Sequence, residues 1–117
     1  MSHRENVVIE KSFAFAVRAV RCYQMLFQKN ETRPIANQFV RSATSTGANL
    51  AEATDAQSRA DFISKVSISL KEARETFYWI QLMAATNILT AKQAQSLGFD
   101  CEELLKLLTS ILKSSRK

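Results

Sequence analysis

The sequence predicts an all-α, single-domain, antiparallel up-down-up-down four-helix bundle, and three observations lead there. The chain has 117 residues, a length that supports one core and buries roughly two-thirds of its unfolded surface. Two glycines and one proline leave turns and sheets with little punctuation. Apolar residues also recur at steps of three and four in four long stretches, the spacing that lines one face of a helix.

The first stretch predicts a helix over about 8–29, with Ile9, Phe13, Ala16, Val20, Tyr23 and Phe27 as its inward stripe and Lys11, Arg18 and Arg21 opposite. In the break that follows, Thr32 is positioned to cap a second helix, and Pro34 falls in the first turn, where a missing N–H is harmless. That helix, about 33–54, presents Ile35, Phe39, Ala43, Thr46, Leu50 and Ala53 inward. It is rich in small residues, which permit close approach, and Gly47 within it suggests a steric reason. A polar link containing Ser58 and Asp61, spaced as a capping pair, opens the third helix, about 59–87. Its seam of Phe62, Val66, Leu70, Ala73, Phe77, Ile80 and Ala84 is the strongest periodic signal in the chain, and Lys71 and Glu75 are spaced as a same-face ion pair. Thr90 and Gln93 fit a capping box for the fourth helix, about 91–115, which buries Leu97, Cys101, Leu104, Leu105, Leu108, Ile111 and Leu112.

Catalytic templates find no footing. The single histidine, His3, lies at the amino end, away from any nucleophile, and both glycines fall in helical patterns where no phosphate-cradling loop forms. Glu52, Glu72 and Glu75 lack the Glu-x-x-His partners of a bundle metal site and are better matched to Arg41, Arg59 and Arg74 as ion pairs. No cofactor, no metal and no enzymatic activity are expected. Cys22 and Cys101 read as small hydrophobes in apolar stripes. With no signal-peptide core and no apolar run of membrane-spanning length, the expected location is the cytoplasm.

Residues 39–83, FVRSATSTGANLAEATDAQSRADFISKVSISLKEARETFYWIQLM, carry a more specific signal. An RS-x-x-S-x-x-A-N-L-A-E run is followed by a short polar link and then by D-F-x-x-K-x-x-I-S-L-K-E-A-R-E-T-x-Y-W. This pattern, together with EKSFAFAVRAVRCY at 10–23 and the LLKLLTSILKSSRK ending, resembles the bacterial four helix bundle protein family, whose early members are encoded in intervening sequences of 23S ribosomal RNA genes. The resemblance implies an antiparallel bundle whose protomers close into a ring, typically a homopentamer. It also implies a kinship with the accessory variability determinant of diversity-generating retroelements, thought to bind nucleic acid and a reverse transcriptase. Ala53, where the family usually has Gly, and Phe77, where many members have Glu, depart from the pattern.

The residues point to assembly independently. Phe15, Val17 and Leu26 on the first helix, with Ile63, Tyr78, Trp79 and Leu82 on the third, form a second apolar stripe beyond what one bundle hides. Tyr78, Trp79 and Leu82 are accordingly subunit-interface candidates. Arg41, Asn49, Glu52, Arg59 and Arg74 are candidates for a buried polar network. A net charge of +5 and pI near 9.5 permit an anionic partner, and Arg18, Arg21, Arg41, Lys65, Lys113 and Lys117 are candidate contacts to RNA or DNA. Lys113, Arg116 and Lys117 also complement the dipole of the last helix. Two classes of function stay open on these grounds: a homo-oligomeric scaffold with a nucleic-acid-binding surface, and an adaptor that docks another protein.

Overall fold

In a computed structural model, which describes residues 2–116, the chain forms a bundle of four helices measuring 44 × 21 × 18 Å. The helices are α1 (His3–Leu26), α2 (Arg33–Ala53), α3 (Arg59–Ala85) and α4 (Ala91–Ser115), with one 3-10 turn (Asn30–Thr32) before α2. Each helix packs on the next, and α4 returns to α1. Bonds between helices fix the antiparallel order: Arg4 reaches Ser110 while Arg18 reaches Ser96, and Arg41 reaches Glu75 while Lys65 reaches Glu52.

The caps follow from local chemistry. Ser58 Oγ accepts the Asp61 N–H at 3.0 Å while Asp61 Oδ2 accepts from Gln57 N at 3.1 Å, and Thr90 with Gln93 forms a full capping box. Thr32, expected to cap α2, instead donates its hydroxyl to the Leu26 and Lys29 carbonyls, so it closes the end of α1. The α3 terminus is a Schellman motif: Asn87 takes φ 62°, its N–H bonds the Ala84 carbonyl, and Ile88 N–H bonds that of Met83 at 2.9 Å. This turn seats Leu89 in the core.

The core of α2, α3 and α4 uses Phe39, Ala43, Thr46, Leu50, Val66, Leu70, Ala73, Ile80, Cys101, Leu104, Leu108 and Ile111, all buried. The first helix differs from expectation in two ways. It begins at His3, capped by Ser2 Oγ, about one and a half turns earlier than the apolar pattern suggests. Its buried side is Val8, Ser12, Phe15, Ala19 and Leu26, whereas Phe13 is 71% exposed and Val17 and Val20 stand outward with it. Small residues sit at the crossing with α2, where a Cβ added to Gly47 would meet the Ser12 carbonyl oxygen at 3.5 Å. That is ordinary contact distance, so the small-residue approach here is close without requiring glycine itself.

Between α2 and α3 lies a ladder of buried hydroxyls. Ser69 Oγ donates to the Thr46 carbonyl at 2.7 Å, and Thr76 Oγ1 lies 2.8 Å from both Ser42 Oγ and the Glu72 carbonyl. Each hydroxyl has a partner, so these polar groups enter the core without an unmet desolvation cost of about 1–3 kcal/mol each. The two cysteines are free, and burial pushes the Cys101 thiol up to about 12. Among the described residues no helix is long and apolar enough to cross a membrane.

Candidate nucleic-acid interface

Cations on this surface fall into two groups according to what lies beside them. In the first, each is tied to a carboxylate on a neighbouring helix. Lys11 meets Glu103 at 3.0 Å, Lys65 meets Glu52 at 2.8 Å, and Arg18 meets Asp100 at 2.5 Å while also donating to Ser96 Oγ. Arg41 bridges Glu72 and Glu75. Half-exposed pairs like these contribute at most about 1 kcal/mol of stability. Their larger consequence is local neutralisation, which weakens Arg18, Arg41 and Lys65 as phosphate contacts.

The Arg41 site extends inward. Trp79 Nε1 donates to Glu75 Oε2 at 3.0 Å, and Tyr78 packs edge-on against the indole with centroids 5.1 Å apart. Glu72 Oε2 is buried 3.2 Å from Arg41 Nη1 without an aligned N–H, so charge rather than a hydrogen bond holds it. The Trp79 N–H and then Arg41 keep the Glu75 carboxyl below its ordinary range, and the hydrogen bond to Glu75 raises Arg41. A carboxylate lowered in this way stabilises the fold fully above its unfolded pKa of 4.5, and that contribution disappears as pH falls through the lower folded value. Since Trp79 is the only tryptophan, its emission is expected to change with a midpoint below 4.5 in an acid titration, and Glu75→Gln is expected to abolish the step.

The five residues expected to form one polar network are dispersed. Arg41 joins Glu72 and Glu75, Glu52 joins Lys65, and Asn49 bonds Ser45 within α2. Arg59 lies over the Phe62 ring, and Arg74 faces the α3–α4 groove. Their separation is physical: i to i+4 proximity along a helix does not fix which side chain the neighbouring helix supplies. The same cause undoes the Lys71–Glu75 pairing, because Glu75 turns to Arg41 on α2. Of the interface candidates, Tyr78 is 55% exposed, while Trp79 and Leu82 are half-buried.

The second group of cations lies along the groove between α3 and α4. Arg74, Lys106 and Lys113 line a concavity of 620 Å³ with Thr109 and Ser110, and it continues past Lys113 to Arg116 and Ser67. Arg4 reaches over from α1, donating to Ser110 at 2.5 Å and Ser114 at 3.2 Å, and Arg116 donates to Ser67 at 3.2 Å. Among the described residues no carboxylate lines this part of the groove, and none of its cations is in an ion pair. Lys113 and Arg116 complement the α4 dipole, but Arg74 and Lys106 lie in helix interiors and have no such role. Clustered like charges beside hydroxyls, with no counter-charge among the described residues, give this part of the groove a positive potential.

Of the six cations expected from sequence to contact nucleic acid, Lys113 lies in this groove, Arg21 is exposed on α1 away from it, and Arg18, Arg41 and Lys65 are paired elsewhere. Lys117 lies outside the described residues. Arg74 and Lys106 were not among the six, yet one signal was available: the stretch from Leu104 to Lys117 carries four basic residues and no acidic one.

Comparison with known proteins agrees with the fold. The crystal structure of a protein of unknown function from the S23 ribosomal protein family of Bacteroides thetaiotaomicron VPI-5482 superposes with a TM-score of 0.88 at 49% identity, covering 94% of this chain and 98% of that one. A search of curated proteins returned no significant match. The profile of the 23S rRNA-intervening sequence proteins matches residues 4–110, and the chain belongs to that family.

Proposed function

We propose that this protein is a non-enzymatic, homo-oligomeric scaffold that binds nucleic acid through the α3–α4 groove, in a ring of the pentameric kind the family resemblance implies. The observation that carries the binding half is the sorting of cations: carboxylates neutralise Arg18, Arg41 and Lys65, while Arg74, Lys106, Lys113 and Arg116 share a part of the α3–α4 groove that no carboxylate among the described residues lines. Repetition of such a groove around a ring multiplies a modest local charge into a multivalent surface. The assembly half is supported by the outward apolar stripe of Phe13, Val17 and Val20 on α1, whose exposure in a lone protomer is of the kind that association removes. That stripe also supports the second reading, in which the bundle is an adaptor and the stripe docks a different protein.

Salt dependence and mass test the two halves separately. Binding to duplex DNA should weaken as salt rises, with a log-log slope near 0.9 per phosphate contacted, and a salt-independent affinity would contradict phosphate binding. Native mass at micromolar concentration should be a multiple of 13.2 kDa, and a lone protomer would contradict assembly.

A further inference from the structure

The α3–α4 groove changes character along its length. Past the basic half, toward the start of α4, it becomes an apolar concavity of 420 Å³ floored by Phe77, Ile80 and Gly98 and edged by Phe99, which is 72% exposed. The Phe77 ring occupies the space over Gly98, 3.8 Å from where a Cβ would stand. Nothing in the core requires Phe99, since α4 directs Leu97, Cys101 and Leu104 inward and leaves this ring at the rim. Phe99 and Lys106 are seven residues apart on one helix, about 10 Å along its axis. Arg74 is a single turn from Phe77 on the facing helix.

We propose that the groove takes single-stranded nucleic acid in preference to duplex: both lay phosphates along Lys106, Arg74 and Lys113, but only a single strand also sends an unpaired base into the apolar end to stack on Phe99. This deepens the nucleic-acid reading given above and rests on it. The geometry matches the pairing of a cationic track with an aromatic platform by which single strands are held, since every base offers a π-face whatever its sequence. A duplex keeps its bases stacked inside and offers no ring to Phe99. Glu102, which lines the apolar end, sets the direction: its carboxylate repels phosphate there and leaves that end to a neutral base, while Gln81 and Gln95 bring amides to meet the base's polar edge.

The experiment compares the full chain with Phe99→Ala and Phe99→Tyr, titrated with a fluorescent single-stranded DNA dodecamer, the same strand carrying abasic sites, and its duplex. The expected result is a loss of about tenfold in single-strand affinity for Phe99→Ala, recovery in Phe99→Tyr, and no change in duplex affinity or salt slope. Abasic DNA should bind the wild type as weakly as normal DNA binds Phe99→Ala. Equal single-strand affinity of Phe99→Ala and wild type would overturn the proposal while leaving phosphate binding by the groove intact. A fall in native mass without any change in per-groove affinity would overturn it in favour of a second copy covering Phe99. Failure of the wild type to bind any of the three nucleic acids would sink the underlying reading together with this one.

Discussion

Phe15→Ala is expected to lower the unfolding free energy of the dissociated protomer by about 3–5 kcal/mol, whereas Phe13→Ala, the same chemical change two positions away, should alter it by no more than about 0.5 kcal/mol. Phe15 is 2% exposed in the contact layer between α1 and the rest of the bundle, and removing its ring leaves a void that a packed interior closes only in part. Phe13 is 71% exposed, so its ring has no cavity to leave. Against a total stability of roughly 5–15 kcal/mol, the first loss leaves a marginal fold. Urea denaturation of both variants at a dilution where the chains are dissociated measures the difference. Comparable losses would place the first helix in the wrong rotational setting.

The second large effect concerns binding. Arg74→Gln with Lys113→Gln removes two cations from the groove, and each cation beside a phosphate in a water-like dielectric is worth about 1 kcal/mol. Affinity for a nucleic acid at low salt should therefore fall roughly 30-fold, and the salt slope for duplex DNA should flatten by about 1.8. The matched control is Arg18→Gln with Lys65→Gln, which lowers net charge equally but removes cations already facing Asp100 and Glu52. Its affinity should stay within about threefold of wild type. If both double variants lose the same affinity, net charge rather than the groove governs binding.

Much of the fold was legible because it depends on patterns carried within single helices. The seam of α3 and the apolar face of α4 show three-and-four spacing with little competition, and Ser58 and Thr90 begin their helices by bonds that span three residues. The rotational setting of α1 was not legible, because apolar residues surround the helix: Phe13, Val17 and Val20 make as regular a stripe as Val8, Phe15 and Ala19. What selects between them is the neighbour, since α1 meets α2 at Gly47 through the small Ser12 and turns Phe13 outward. Thr32 misled for a related reason: its hydroxyl had a choice of two helix ends and took the carbonyls of the first.

The site was less legible than the fold, because it lies between helices. Arg41 and Arg74 look alike in sequence, each a basic residue on a mostly polar face, yet one meets two carboxylates across the α2–α3 contact and the other meets hydroxyls and lysines across α3–α4. Only packing separates them. The acid-free stretch after Glu103 is the part of that distinction that is visible in one dimension, and it identifies the α4 wall of the groove but not Arg74 opposite.

Backbone amide shifts followed by NMR during titration with a short oligonucleotide locate the bound surface residue by residue. The perturbed amides should cluster at 67–81 on α3 and 98–116 on α4, with α2 and the outward face of α1 unmoved. Perturbations centred on α1 and α2, with the α3–α4 groove silent, would contradict the groove as the binding surface.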